Sequence, residues 1–306
     1  MADVPASAPT PVLIPAKKIR PYNERRQRVQ VRLLVWPATI WLVLFFVVPL
    51  LIVVLYSFLT PSSSYQAVLP LTFDNYSRLL EDTYTSVLFR SVATAVISTL
   101  ICVLVGYPFA FFIATRSPRV RNLFLLLVII PFWTNFLVRT YAIAFIMNDN
   151  GLVNTILINY LHLIADPIHL IYTPFAVFIG LVYGYLPFMV LPIYTAIEKF
   201  NFRLVEAAHD LGANDFGAFM RVMLPVTLPG VLAGCILVFI PALGAYLTPD
   251  LLGGAKFLMV GNQITTLVYS STGKPFGAAL SIGMMAIVVI ALLLYYRFAD
   301  HSSGVI

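Results

Sequence analysis

The chain has 306 residues, of which 60% are hydrophobic, 14% aromatic and only 10% charged. A soluble domain carries roughly 25% charged residues; this composition, with a mean hydropathy of +0.91, excludes a cytosolic globular enzyme and indicates a polytopic membrane protein. The formal charge of +6 comes from Lys and Arg gathered in short clusters between long apolar runs, a pattern of membrane topology rather than of nucleic-acid binding.

The chain opens with Pro5, Pro9, Pro11 and Pro15 among Ala, Ser and Thr, followed by Lys17, Lys18, Arg20, Arg25, Arg26, Arg28 and Arg32. Such a segment cannot bury enough apolar surface to order itself, and a disordered basic tail is expected over residues 1–32. It has no short apolar core with a cleavage site, so the apolar run that follows is read as a retained first span rather than a signal peptide.

A membrane helix needs about 20 mostly apolar residues. Six stretches qualify: Leu33 to Leu59, Val87 to Thr115, Leu123 to Met147, Tyr172 to Ile197, Pro229 to Thr248 and Phe276 to Tyr296. Pro37, Pro49, Pro108, Pro131, Pro187, Pro192 and Pro241 fall inside them, so kinks are expected. Cys102 and Cys235 also lie in apolar runs and read as packing residues, with no disulfide framework and no metal site. No cofactor is expected.

The flanks alternate in charge. The N-terminal tail, the loop at Arg116, Arg119 and Arg121, the segment with Lys199, Arg203 and Arg221, and Arg297 together hold 14 basic residues, whereas the other flanks hold four: Arg78, Arg90, Lys256 and Lys274. Both termini are therefore expected on the cytoplasmic side. The opposite loops carry Asp74, Glu81, Asp82, Asp149, Asp166 and Asp250, which would tend to collect cations.

A secondary transporter, a membrane enzyme and the membrane subunit of a pump powered by another chain are the function classes to separate. The six stretches contain no Asp, Glu or His, the groups that ion-coupled transport and acid–base chemistry usually place at membrane depth. Gly273-Lys274-Pro275 lacks the glycine lead and the hydroxyl of a phosphate-binding loop, so the chain is not expected to hydrolyse ATP.

The segment 198–228 is polar enough to leave the membrane but patterned like helices. Leu204, Ala208 and Leu211 form one apolar stripe, and Phe216, Phe219, Met220 and Met223 a second. Gly212 between them suits a left-handed helix cap, and Pro225 and Pro229 are expected to close the second helix before the fifth span. Two short amphipathic helices on the cytoplasmic face suggest a docking site. An interfacial pair lying on lipid headgroups fits the same pattern.

Within that segment, Glu206-Ala207-Ala208, Gly212 and Val222-Met223-Leu224-Pro225 are spaced so that they resemble the EAA loop of bacterial ABC importer permeases, with Val222 replacing the usual Ile. The resemblance extends to the spermidine/putrescine permeases, specifically the first of their two membrane subunits. It covers about residues 25 to 298, including the run from Pro131 to Tyr141, the run from Leu186 to Tyr194, and Asp250 to Lys256. It implies an all-α integral membrane protein with the six transmembrane helices of the type I ABC importer permease fold, its membrane domain over 33–298, a coupling loop at 198–228 and a tail at 299–306. It also implies a second permease subunit, a cytoplasmic ATPase dimer that takes the EAA loop in a cleft, and an extracytoplasmic binding protein that delivers polyamine. The same machinery serving an opine, amino acid or anion is the alternative.

Glu206, Ala207, Ala208, Gly212, Leu224 and Pro225 are accordingly the candidate ATPase-coupling residues. Trp133, Tyr183 and Tyr246 are candidates for a substrate path because aromatic faces attract ammonium groups. Phe239, Leu243, Tyr246 and Asp250 are spaced to share one face of the fifth span, running from aromatics to a carboxylate. Arg139, sixteen residues beyond Leu123, is expected near the outer boundary, snorkelling or pairing with an outer carboxylate. An Arg139 that faced a cavity would favour an anionic solute.

Overall fold

In this computed structural model residues 33, 35–60, 68–270 and 272–303 are described, and the expected tail at 1–32 lies outside them. Six helices among the described residues are long and apolar enough to cross a bilayer: Val35–Ser57, Asp82–Ala114, Phe136–Tyr160, Pro174–Glu198, Asp215–Leu243 and Lys274–Arg297. The chain divides at Leu51 into two units. The first unit holds most of helix α1, Val35–Ser57, whose residues up to Val48 are exposed.

In the second unit, a short antiparallel ladder pairs β1 (Leu59–Thr60) with β2 (Val68–Leu71). Helix α2 (Asp74–Arg78) follows, and buried Asn75 donates to the carbonyls of Ser57 and Leu59 at 2.9 Å each. The long helix α3 spans Asp82–Ala114. Helices α4 (Pro118–Trp133), α5 (Phe136–Met147) and α6 (152–160) lead to α7 (Pro174–Glu198). Helices α8 (Arg203–Asp210), α9 (Asp215–Leu243), α10 (Val260–Tyr269) and α11 (Lys274–Ser303) complete the fold. Residues 299–303, expected to be a tail, continue α11.

Helices α3, α7 and α9 pack on one another and hold the main core. Between membrane helices lipid is as apolar as the side chains, so close packing rather than water exclusion drives association. The buried face of α3 is accordingly mostly small, with Ser91, Thr94, Ala95, Ser98, Thr99, Cys102, Gly106 and Ala110 beside two larger residues, Tyr107 and Ile113. Gly230 and Gly234, four apart on α9, serve the same end. A Cβ at Gly230 would meet the Pro192 carbonyl oxygen at 2.8 Å, and one at Gly234 would meet Met189 Sδ at 2.7 Å. Tyr107 and Thr227 join their hydroxyls at 2.9 Å, tying α3 to α9.

Two expected spans have different boundaries. The third breaks after Trp133, because Thr134 turns its hydroxyl onto the Pro131 carbonyl at 2.6 Å and the Asn135 side chain accepts from Leu137 N at 2.8 Å. These polar side chains satisfy backbone groups that helix continuation would otherwise use. The fifth begins earlier than expected: Asp215–Leu243 is one 29-residue helix, and neither Pro225 nor Pro229 ends it. A π-turn over Phe219–Met223 carries a bond from Leu224 N–H to the Phe219 carbonyl. Widening the ladder there re-registers it just before Pro225, whose ring would clash with a regular i−4 carbonyl. A second π-turn, Val43–Val47, stands in the same relation to Pro49 in α1.

Candidate functional site

The loop between α7 and α9 is held by local devices. Asn201 Oδ1 accepts from Arg203 N at 3.2 Å at the start of α8. At the end of α8, Gly212 N bonds the His209 carbonyl at 2.8 Å and Ala213 N the Ala208 carbonyl at 3.0 Å. This is the paired bonding of a Schellman cap, and Gly212 takes the left-handed φ of 86° it requires. Asn214 Oδ1 then caps α9 by accepting from Gly217 N at 2.8 Å. Across the turn, His209 Nε2 and Asp215 Oδ1 stand 3.3 Å apart.

The two apolar stripes divide. Val205, Phe219 and Met223 turn inward onto the main core, beside a cavity of about 400 Å³ that also touches Tyr107 and Phe111 of α3. Leu204, Leu211, Phe216 and Met220 face outward, Leu211 at 90% exposure. Glu206 and Ala207 are exposed beside them and Ala208 half-buried. Leu224 instead packs on the core, and Pro225 marks the joint in α9. The six candidate coupling residues therefore split into the loop surface, Glu206 to Gly212, and two positions within α9, half-buried Leu224 and exposed Pro225. At the base of the loop Arg121 of α4 pairs with Glu198 of α7 at 3.0 Å.

The four candidate path residues do not share one face. Trp133 closes α4 and is 78% exposed. Tyr183, on α7, is exposed towards a cavity of about 270 Å³. The face expected to join Phe239 and Leu243 to Tyr246 and Asp250 is not formed, because α9 ends at Leu243. At the stop Gly244 is the C-cap residue, its N–H bonding the Ile240 carbonyl at 3.4 Å, and Pro241 in the last turn contributes no N–H. The Pro241 carbonyl takes a bond from the Tyr185 hydroxyl at 3.2 Å. Tyr246 lies past the helix end, its carbonyl accepting from Asn262 Nδ2 at 2.8 Å and from Asp250 N at 3.0 Å. Asp250 is exposed within a π-turn, Pro249–Gly253.

Arg139, expected near the outer boundary, lines the same cavity as Tyr183, Leu186 and Pro187, with its guanidinium carbon 5.6 Å from the Phe132 ring and 5.5 Å from the Phe136 ring. Its Nε is buried and finds no acceptor among the described residues.

The family model described as binding-protein-dependent transport system inner membrane component matches residues 103–303. The chain belongs to that family. This inner membrane component is similar to the spermidine/putrescine transport system permease protein PotB of Haemophilus influenzae, 47% identical over 84% of this chain and 90% of that one. PotB of Escherichia coli is 46% identical over 84% of this chain and 93% of its own. Among solved structures, a bacterial ABC transporter involved in the import of the acidic polysaccharide alginate aligns with a TM-score of 0.73 over 90% of this chain and 98% of that one, at 16% identity. The inward-facing MetNI methionine ABC transporter aligns at 0.52 over 71% of this chain and 95% of that one, at 14% identity. These structures share the permease fold.

Two features of this ABC permease went unread in its sequence. The break in the third span had a signal, since Thr134-Asn135 after Pro131 is a helix stop followed by an N-cap. The cavity beside Arg139 had none, because it depends on which helices meet around that side chain.

Proposed function

We propose that the chain is one of two permease subunits of an ATP-powered importer that brings spermidine or putrescine across the bacterial inner membrane. The observation that carries the machinery is the outward apolar surface of Leu204, Leu211, Phe216 and Met220 beside Glu206, mounted on a helix that continues into a membrane span. An apolar surface of this kind calls for a protein partner. A cytoplasmic ATPase pair docks there and hydrolyses the ATP, while an extracytoplasmic binding protein delivers the solute. Both termini are cytoplasmic, in keeping with the 14 basic residues against four.

The polyamine assignment is supported by the relatives at 46% and 47% identity, both named for spermidine/putrescine transport. Trp133, Tyr183 and Tyr246 supply aromatic faces for spaced ammonium groups, and Asp250 a carboxylate. A few weak contacts suit a pathway that must also release its cargo. Arg139 lines a cavity, the placement tied in sequence to an anionic solute. Here, however, its guanidinium is flanked by two phenyl rings, and the relatives' named solutes are cations. Reconstituted with its partners, the complex should show ATPase activity stimulated by binding protein loaded with spermidine or putrescine. Stimulation by amino acids, opines or anions instead would overturn the substrate.

A further inference from the structure

A guanidinium at membrane depth needs a counter-charge, and Arg139 has none among the described residues. Its depth follows from its neighbours. Phe132 packs edge-on against Phe188 at 4.8 Å, and Phe136 stacks over Tyr185 at 6.5 Å. The break between α4 and α5 thus lies against the middle of the 25-residue helix α7, about 18 Å from either of its ends at the usual helical rise. Lipid phosphates sit outside a hydrocarbon core of about 30 Å, beyond the reach of a side chain anchored there. No carboxylate of the described residues lies within ion-pairing distance of Arg139.

The backbone gives a second, independent indication. Thr134 and Asn135 are both non-helical and exposed. Irregular backbone at that depth does not face hydrocarbon; it is covered by protein or lines water. Helix α4 has no buried residue of its own, and Trp133, Val138 and Tyr141 beside the break are exposed. This face is open in the single chain, and a second chain packed on it would supply the cover.

We propose that Arg139 forms an ion pair with an Asp or Glu on a membrane span of the second permease subunit, across the face opened by the break at Thr134-Asn135. The inference rests on reading the chain as one half of a permease pair. The flanking Phe132 and Phe136 rings hold the guanidinium in place, and a partner carboxylate neutralises it, so a cationic solute does not meet a bare positive charge on this face.

The test uses the full complex, co-expressed with an affinity tag on this chain, and reads how much second permease is retained after detergent extraction. Arg139→Gln should reduce retention at least about tenfold by leaving a carboxylate buried and unpaired, and Arg139→Lys should reduce it less. In the Arg139→Gln background, each Asp and Glu of the partner's spans is then changed to Asn or Gln. One such change should restore retention, since a neutral pair replaces an orphaned charge. Retention equal to wild type in Arg139→Gln, or no restoring change anywhere in the scan, overturns the pairing. A wild-type chain that retains no second permease would instead refute the subunit reading itself, and the two failures are distinguishable.

Discussion

Gly212 shows how a single backbone angle carries the proposed coupling surface. A Cβ there would meet no atom within 4 Å, so the requirement is conformational, set by φ of 86°. Any L-residue held there bears about 1–2 kcal/mol of strain, Asn least because its side chain tolerates the left-handed region. Gly212→Val should therefore abolish uptake while insertion persists, and Gly212→Asn should keep most of it. Equal loss in the two variants would mean that the turn is not what matters. Glu206→Lys should also stop uptake, by changing the outer surface rather than the turn. Along the path, Tyr183→Ala should impair polyamine uptake more than Tyr183→Phe, with the affinity of the binding protein unchanged. These positions were legible one at a time: a glycine after an amphipathic stripe announces a cap. Their grouping was not, because Tyr246 and Asp250 share a helix face with Phe239 only if α9 runs past Gly244, and it does not.

The elements that matter most are the contact between α7 and α9 and the π-turn within α9. Gly230 lets α9 approach until a Cβ would lie 2.8 Å from the Pro192 carbonyl oxygen and 2.5 Å from Ala196 Cβ. Because one obstacle is backbone, Gly230→Val cannot be absorbed by a rotamer change. It should lower stability by about 1–3 kcal/mol, as overpacking does, read as a drop in melting temperature of the detergent-solubilised complex. An unchanged melting temperature would show that the two helices separate at little cost. Hydrophobic length alone located most of the spans, since about 20 apolar residues admit few readings. The ends of the third and fifth were hidden for opposite reasons. Pro225, read as a stop, follows a π-turn that no local composition announces, and Pro229 sits inside the regular helix beyond it, while Thr134 and Asn135 break a run that apolar length alone joins into one span.

For the whole molecule the open quantity is orientation. With Cys102 and Cys235 replaced, a single cysteine at Asp166 should react with an impermeant thiol reagent from outside sealed cells, and one at Asn214 should not. Labelling of Asn214 from outside would invert the topology and place the apolar loop surface away from ATP. The Arg121–Glu198 pair should lie on the same side as Asn214, since it joins α4 and α7 at the base of that loop. Chain-wide charge bias carried this reading in the sequence; neither the pair nor the cavity lined by Arg139 and Tyr183 could be anticipated from it, because each depends on which helices meet.

The unbroken run from Asp215 to Leu243 makes the proposed docking surface and a membrane span parts of one rod. Its 29 residues measure about 43 Å at the usual rise, so a pivot of about 10° applied at one end sweeps the other through about 7 Å. That stroke exceeds the spacing between neighbouring turns of a helix, about 5.4 Å. Were the proposed ATPase to act at the loop end, a small angular demand there would be geared into a displacement large enough to change which turn of α7 faces α9. The π-turn at Phe219–Met223, close to the driven end, is the part of the rod where stiffness would be tuned.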